Sequence, residues 1–358
     1  MPGLETGLEI REAQPADNQA LIEIQRRCLQ GTSLVISSVN TPDFFARARA
    51  YTNYRVFNAY LEGRLVGSAA GAVQEVVANG LPVKSGYEFQ YFIDPDQRKK
   101  GIGQQLRDRV EQYFNEQEVA FAYAFIVDDN LPSMRLFEKQ GFSLLKKLKM
   151  QLLLPYRKMP LPAGVTIRPA TAEDYPAIAA LLNRTWQDYN LYHPFTAEGL
   201  AAQLAHLPEY QASDLYVLEE GGELTACLGT WDWQKITQLK AVSLNFSLKA
   251  IGRTLDLLRL VRPMPRLPKP GQVFKQWCLL PVAFKDIEAL KTLLYFVNNR
   301  ALDAGIEQLV NMCDPVCPVP QAMQGLFKAN SQMQLFIKPL KPGFVLDDRP
   351  LYINPLDL

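Results

Sequence analysis

Hydrophobic positions in the first half of the chain switch repeatedly between a period of two and a period near 3.6, and each switch marks a change between strand and helix. Residues 8–13 read as a short strand, 16–29 as a helix carrying Leu21, Ile24 and Cys28 on one face, and 41–51 as a second helix. Segments 54–61 and 64–77 form a hairpin, and a strand over 86–94 stops at Asp94-Pro95. Next comes a helix over 101–116, whose Ile102, Leu106, Val110 and Tyr113 make one buried stripe. A strand at 119–127, a helix at 131–140 opened by Asn130 and Pro132, and a strand at 142–154 complete this half. Such alternation predicts an α/β or α+β fold with a mixed sheet.

The pattern returns further on. Ile10, Arg11, Ala13, Asp17 and Ala20 match Ile167, Arg168, Ala170, Asp174 and Ala177 at a constant offset of 157. The hairpins AYLEGRLVGSAAG and VLEEGGELTACLG align Leu65 with Leu224, and EFQYFIDP and FKQWCLLP align Pro95 with Pro281 at an offset of 186. A repeat of this length changes the expected architecture from one domain to two. The boundary falls in LPYRKMPLPAG, where three prolines and a glycine interrupt the periodicity. The expected organisation is 1–154, a linker at 155–164, and 165–358 with about 27 extra residues inserted near 240–271.

Composition narrows the class. Of 358 residues, 48% are apolar and 21% charged, enough for ordinary cores, and 38 basic against 37 acidic side chains leave no global field to attract nucleic acid. No stretch of about 18 uncharged apolar residues occurs, so integral membrane association is not expected, and the start lacks the features of a secretory signal. Five scattered cysteines read as reduced, buried thiols of a cytoplasmic protein with no metal site. Within the insertion, residues 249–269 carry six basic residues and one acidic among Leu and Ile; this fits a contact with a membrane surface or an acidic partner, but reads first as a helix packed across its own domain or a neighbouring subunit with its cations solvated.

The chemistry concentrates in GYEFQYFIDPDQRKKGIGQQLRDRVEQYF. A strand feeds an amphipathic helix through a basic turn, leaving the first helical N–H groups free and pointing at the loop. With the helix dipole and Arg98, Lys99 and Lys100 they make an anion site that Gly101 and Gly103 open to a pyrophosphate. Leu106 stands where a dinucleotide fingerprint has its third glycine, and no GxxxxGK[ST] loop occurs. Arg-x-x-Gly-x-Gly after a strand ending in Asp-Pro resembles the coenzyme A loop of the GNAT superfamily of N-acetyltransferases. The segment from Asn130 to Phe142, with Glu-Lys-x-Gly-Phe, resembles that family's pantetheine-flanking helix. The resemblance spans most of residues 8–154.

The resemblance implies two GNAT-like domains, each a mixed, mostly antiparallel sheet flanked by helices, with acetyl-coenzyme A or another acyl-coenzyme A as co-substrate. Tyr91, Phe92 and Ile93 are then expected to pair with pantetheine amides, Arg98, Lys99, Lys100, Gly101, Ile102 and Gly103 to hold the pyrophosphate, and Asn130 and Ser133 to lie near the pantetheine or thioester. An amine on a small molecule or peptide attacks the thioester directly, with Glu88 as the expected base, in a monomer or homodimer. Phe137 stands where many relatives carry a tyrosine that protonates the departing thiolate, and Tyr123 is the substitute. Phe137 also motivates the alternative of a non-catalytic coenzyme A-binding sensor or scaffold. At the offset of 186, Arg98, Gly101 and Gly103 fall on Phe284, Ile287 and Ala289, so the second domain is expected to be degenerate.

Overall fold

The computed structural model describes residues 7–357. The first half runs β1 (Leu8–Glu12), α1 (Asn18–Arg27), β2 (Leu34–Asn40), β3 (Tyr54–Leu61), β4 (Arg64–Ala78), β5 (Leu81–Ile93), α2 (Ile102–Glu116), β6 (Phe121–Val127), α3 (Leu131–Lys139) and β7 (Ser143–Leu153). The second runs β8 (Thr166–Pro169), α4 (Tyr175–Trp186), α5 (Ala197–His206), β9 (Leu215–Glu220), β10 (Glu223–Asp232), β11 (Thr237–Leu244), α6 (Phe246–Leu258), β12 (Gln276–Phe284), α7 (Ile287–Asp303), β13 (Gln308–Cys313), α8 (Val319–Ala322) and β14 (Lys328–Pro339).

Twelve of these strands form one sheet, in the order β1-β3-β4-β5-β6-β14-β7-β13-β12-β10-β9-β8. Read from either edge, the order is the same: four antiparallel strands, then a parallel neighbour (β6 beside β5, β13 beside β12), then one antiparallel strand. The last strand is exchanged. β14, from the second half, pairs with β6, while β7, from the first half, pairs with β13. The two exchanged strands then pair with each other from Lys328↔Leu153 to Ile337↔Ser143. Segment 154–165 between the halves has neither helix nor strand, yet it is fixed: Asn299 bonds both backbone groups of Met159.

Packing follows from the sequence pattern. Ile102, Leu106, Val110, Tyr113 and Phe114 bury one face of α2 against β3–β5. The Phe114 ring lies on Gly71 and Gly86, where an added Cβ would come within 2.9 Å and 2.8 Å of it, so the helix sits closer to the sheet than alanine would allow. Asn79-Gly80, both with positive φ, closes the β4–β5 hairpin, an Asn-Gly signal that extends β5 five residues upstream of the expected start at 86.

One expected element is absent. Segment 41–51 is not a helix: Phe44, Ala46, Ala48 and Ala50 are buried at every second residue, and only a short turn at Ala48–Ala50 is helical. Ahead of it β2 forms a two-stranded sheet with β11, a partner some 200 residues away that no local pattern announces.

The exchange makes a stability prediction. A fragment ending at residue 160 lacks the strand that covers β6, and should be aggregated or largely unfolded by circular dichroism and size exclusion. Co-expression with 161–358 should recover a one-to-one complex.

Candidate functional site

β5 and β6 pair over only three residues, Ser85↔Phe121, Gly86↔Ala122 and Tyr87↔Tyr123, and then part. Beyond Tyr87, a bulge with Gln90 at φ 51° puts Gln90 and Tyr91 out of register with β4 as well. Residues 88–93 thus border an open wedge, at whose wide end the Ile93 carbonyl accepts from Arg98 Nε at 3.4 Å.

At the wide end, Asp94 shapes the turn. Its buried carboxylate accepts from the Asp96 N–H at 3.1 Å and pairs with Arg27 and Arg64 at 3.0 Å and 3.3 Å. Lys99 then takes a left-handed conformation, which costs a non-glycine residue about 1–2 kcal/mol and is the kind of strain that functional loops retain. Gly101 caps α2, also left-handed, with open space where a Cβ would stand. A left-handed residue leading into a helix is the backbone alternation of an anion-binding nest. At Gly103 a Cβ would come 3.0 Å from the Tyr91 hydroxyl, a buried group with no hydrogen-bond partner in the protein. Tyr91, Phe92 and Ile93 lie on the strand side of this turn and Arg98 to Gly103 form the turn itself. On the other side of the wedge, Asn130 caps α3, its Oδ1 accepting from the Ser133 N–H at 3.3 Å.

Glu88, the expected base, is buried on β5. Alternation along β5 turns it toward α2, where it meets Arg107 at 3.0 Å, the arginine being wholly buried. Arg107 also lies 3.5 Å over the Phe137 ring and bonds the Leu136 carbonyl and Gln140. Burial pushes the Glu88 carboxyl up, only partly offset by the guanidinium. Phe137 is used the same way, packed among Tyr91, Phe142 and Phe336 beneath that cation.

On the opposite face a cleft of about 670 Å³ opens between the halves, lined by Tyr51, Gln74, Tyr123, His193, His206 and Asp357. Its centre is Asp357, 3% exposed, which reaches the first half from the far end of the chain. Tyr123 donates to its Oδ2 at 2.8 Å, and Tyr51 and Gln74 donate to Oδ1 at 2.9 Å and 3.2 Å. The hydroxyl of Tyr87 donates to the Asp357 carbonyl at 2.6 Å. Burial pushes the Asp357 carboxyl up to about 6, the three donors holding it back. Burial first, then Asp357, drives the Tyr123 hydroxyl well above the usual tyrosine range, so it stays protonated and orients the carboxylate. Tyr87 and Tyr123 are also the last paired residues of β5 and β6, so this cluster stands at the apex of the wedge. Tyr123, expected as a substitute acid, instead donates to Asp357, and Asp357, Tyr51 and Gln74 are not among the expected residues; nothing in PLYINPLDL announces where its aspartate goes.

The second half repeats the wedge and closes it. β12 and β13 pair only from Gln276↔Gln308 to Cys278↔Val310. Trp186 donates to the Val282 carbonyl at 2.7 Å, and with Leu351, Tyr352 and Ile353 it leaves a cavity of only about 20 Å³. At the start of α7, Asp286 accepts from the Ala289 N–H at 2.9 Å, placing a carboxylate where the first half has a glycine. That carboxylate occupies a first-turn N–H group of the helix.

This architecture is that of the GNAT fold. Residues 18–142 match the model of the acetyltransferase (GNAT) family. Among solved structures, a GCN5-related N-acetyltransferase from Sphaerobacter thermophilus is similar at 13% identity and a TM-score of 0.59, covering 96% of this chain and 99% of that one. One from Anabaena variabilis gives 13% and 0.54, covering 93% and 73%. Saccharomyces cerevisiae N-myristoyltransferase with bound myristoyl-CoA gives 13% and 0.63, covering 98% and 90%. At these identities the likeness is one of fold. No curated protein matches.

The placement of Glu88 is testable. Glu88→Gln leaves the buried Arg107 without its counter-ion and is expected to cost about 3–5 kcal/mol in urea unfolding. Glu88→Leu combined with Arg107→Met should recover most of that loss. Full stability with abolished turnover in Glu88→Gln would return this residue to the chemistry.

Proposed function

We propose that the chain is an N-acyltransferase that moves an acyl group, acetyl being the simplest, from acyl-coenzyme A to an amine held in the cleft between its halves. The observation that carries this reading is the apex of the wedge. There a strand gap and anion cradle suited to a pantetheine pyrophosphate meet a cleft whose central group is a buried, hydrogen-bonded carboxylate. Arg98, Lys99, Lys100 and the N–H groups at Gly101 to Gly103 hold the pyrophosphate, residues 91–93 pair with the arm, and Asn130 and Ser133 flank it.

Asp357 serves as the base. Ionised above about pH 6, it accepts the proton from the incoming amine, directly or through water, while Tyr51, Tyr123 and Gln74 fix its orientation. The amine nitrogen bonds the thioester carbon and the sulfur leaves with the electron pair; a thiol of ordinary pKa, roughly 8.5, departs near neutrality without a dedicated acid. Phe137 is then no obstacle to turnover. The acceptor is a small-molecule or peptide amine small enough for the cleft, with His193, held at 3.0 Å from the Glu75 carbonyl, on its rim.

Two measurements test the reading. Excess acetyl-coenzyme A should stabilise the protein against heat by about 2–3 kcal/mol at a hundredfold over the dissociation constant, and Arg98→Glu with Lys99→Glu should remove the shift. With a panel of amines, thiol release should follow amine concentration; saturable binding without release would mean a coenzyme A sensor instead.

The pH profile tests Asp357. Because the active form is the ionised one, kcat/KM should rise with pH through about 6. Asp357→Asn should lower kcat roughly 10²–10⁴-fold and erase that limb. Tyr123→Phe removes a bond that favours the carboxylate and should move the limb to higher pH.

A further inference from the structure

The 27-residue excess of the second half forms β11 and α6, and α6 differs from every other long helix of the fold: none of its residues is buried. Leu248, Gly252, Leu255 and Arg259 make its inner stripe, four, three and four apart and partly covered. Gly252 faces Leu267, and Arg259 bonds the carbonyls of Met264 and Pro265. The opposite side should then be polar. Instead Phe246 is 83% exposed and Leu257 67%, and just beyond the helix Leu260 and Val261 are 84% and 87% exposed. This contrasts with the expected reading of a helix packed on its own domain.

Cations surround that apolar face. Lys249, Arg253, Arg262, Arg266 and Lys269 are all exposed, and the one acidic residue among them, Asp256, is taken by Arg259 at 2.8 Å. We propose that α6 and the segment to residue 269 dock the protein on an anionic lipid bilayer, the aliphatic and phenyl groups entering the interface and the cations meeting headgroups. Aliphatic tips at the outermost positions suit acyl chains and have no hydrogen-bonding use against a nucleic acid. A second copy in a two-fold contact would set this cationic cluster against itself. Among the described residues no helix is long and apolar enough to cross a membrane, so the contact is with the surface.

The surface borders the acyl-donor wedge. The Asn245 N–H at the start of α6 bonds the Ser33 carbonyl at 2.8 Å, and the adjacent Thr32 bonds Asp129 through both its N–H and its hydroxyl. Asp129 precedes Asn130 at the open end of the β5–β6 gap. Docking through α6 therefore holds that end of the gap near the bound surface.

Vesicle co-sedimentation of the full chain tests the proposal without recourse to activity. Binding is expected to phosphatidylcholine vesicles that contain phosphatidylglycerol, weak binding to phosphatidylcholine alone, and loss of binding at high salt. Arg253→Glu with Arg262→Glu should weaken it at least about tenfold. Phe246→Ser with Leu257→Ser and Leu260→Ser should do the same, with thermal unfolding unchanged in both variants because every altered side chain is in solvent. Failure of the wild type to bind anionic vesicles at low salt overturns the proposal, as does binding that neither variant affects. Concentration-dependent dimerisation abolished by the serine variant, without vesicle binding, would assign the face to a second copy.

Discussion

The pairing of β7 with β14 is the constraint on which the rest of the molecule depends. Each strand belongs by sequence to one half and by hydrogen bonding to the sheet of the other, so neither half can complete its sheet alone. The exchange joins two six-stranded units into one continuous sheet without an exposed edge at the join. It also sets the path of the chain afterwards. β14 leaves the sheet beside β6, where Leu340 and Lys341 bond the Ala120 carbonyl and Phe344 stacks on Phe121 at 4.8 Å. From there the chain crosses the second half at Asn190 and Asp314 and returns to the first as Asp357. The carboxylate of the cleft is thus delivered by topology over a distance that no motif spans.

Two buried carboxylates show how the faces of one sheet diverge in use. Glu88 faces α2, shares its pocket with a wholly buried guanidinium, and has one oxygen without a partner. Its burden is structural, because the ion pair offsets a desolvation cost rather than adding much stability. Asp357 faces the cleft, with three neutral donors on its carboxylate and the Arg47 guanidinium on its backbone carbonyl at 3.4 Å, and burial pushes its carboxyl up to about 6. Glu88 lies on β5 and Asp357 in the turn Pro355–Asp357, and their different partners account for their different environments.

What the sequence disclosed and what it hid divide along the same line. β1, α1, β3, α2, β6 and α3 were legible because each is decided by local periodicity, a cap or a turn residue. The loop from Arg98 to Gly103 was legible because a helix start, two glycines and three cations are consecutive. Segment 41–51 was misread because alanines of high helix propensity yielded to tertiary burial at every second position, and β2 was missed because its partner is β11. The strand exchange left no trace, since β7 and β14 have the same strand character wherever they pair. Asp357 was hidden for the same reason as β2: its neighbours Tyr51, Gln74 and Tyr123 are more than 200 residues away.

The loss of the second wedge and the completion of the first are consequences of one segment. Leu351, Tyr352 and Ile353 line what remains of the β12–β13 gap, with Tyr352 set between Trp186 and Tyr192. Four residues later the same segment supplies Asp357. A ligand in the second gap would have to displace residues 351–353 and so pull the carboxylate away from Tyr51 and Tyr123. With Asp286 already occupying the helix start that an anion would need, the second half has no route back to binding that leaves the first half intact. The second half is thus structurally bound to the first: it anchors the tail, contributes His193 and His206 to the cleft, and carries β14 into the sheet beside β6.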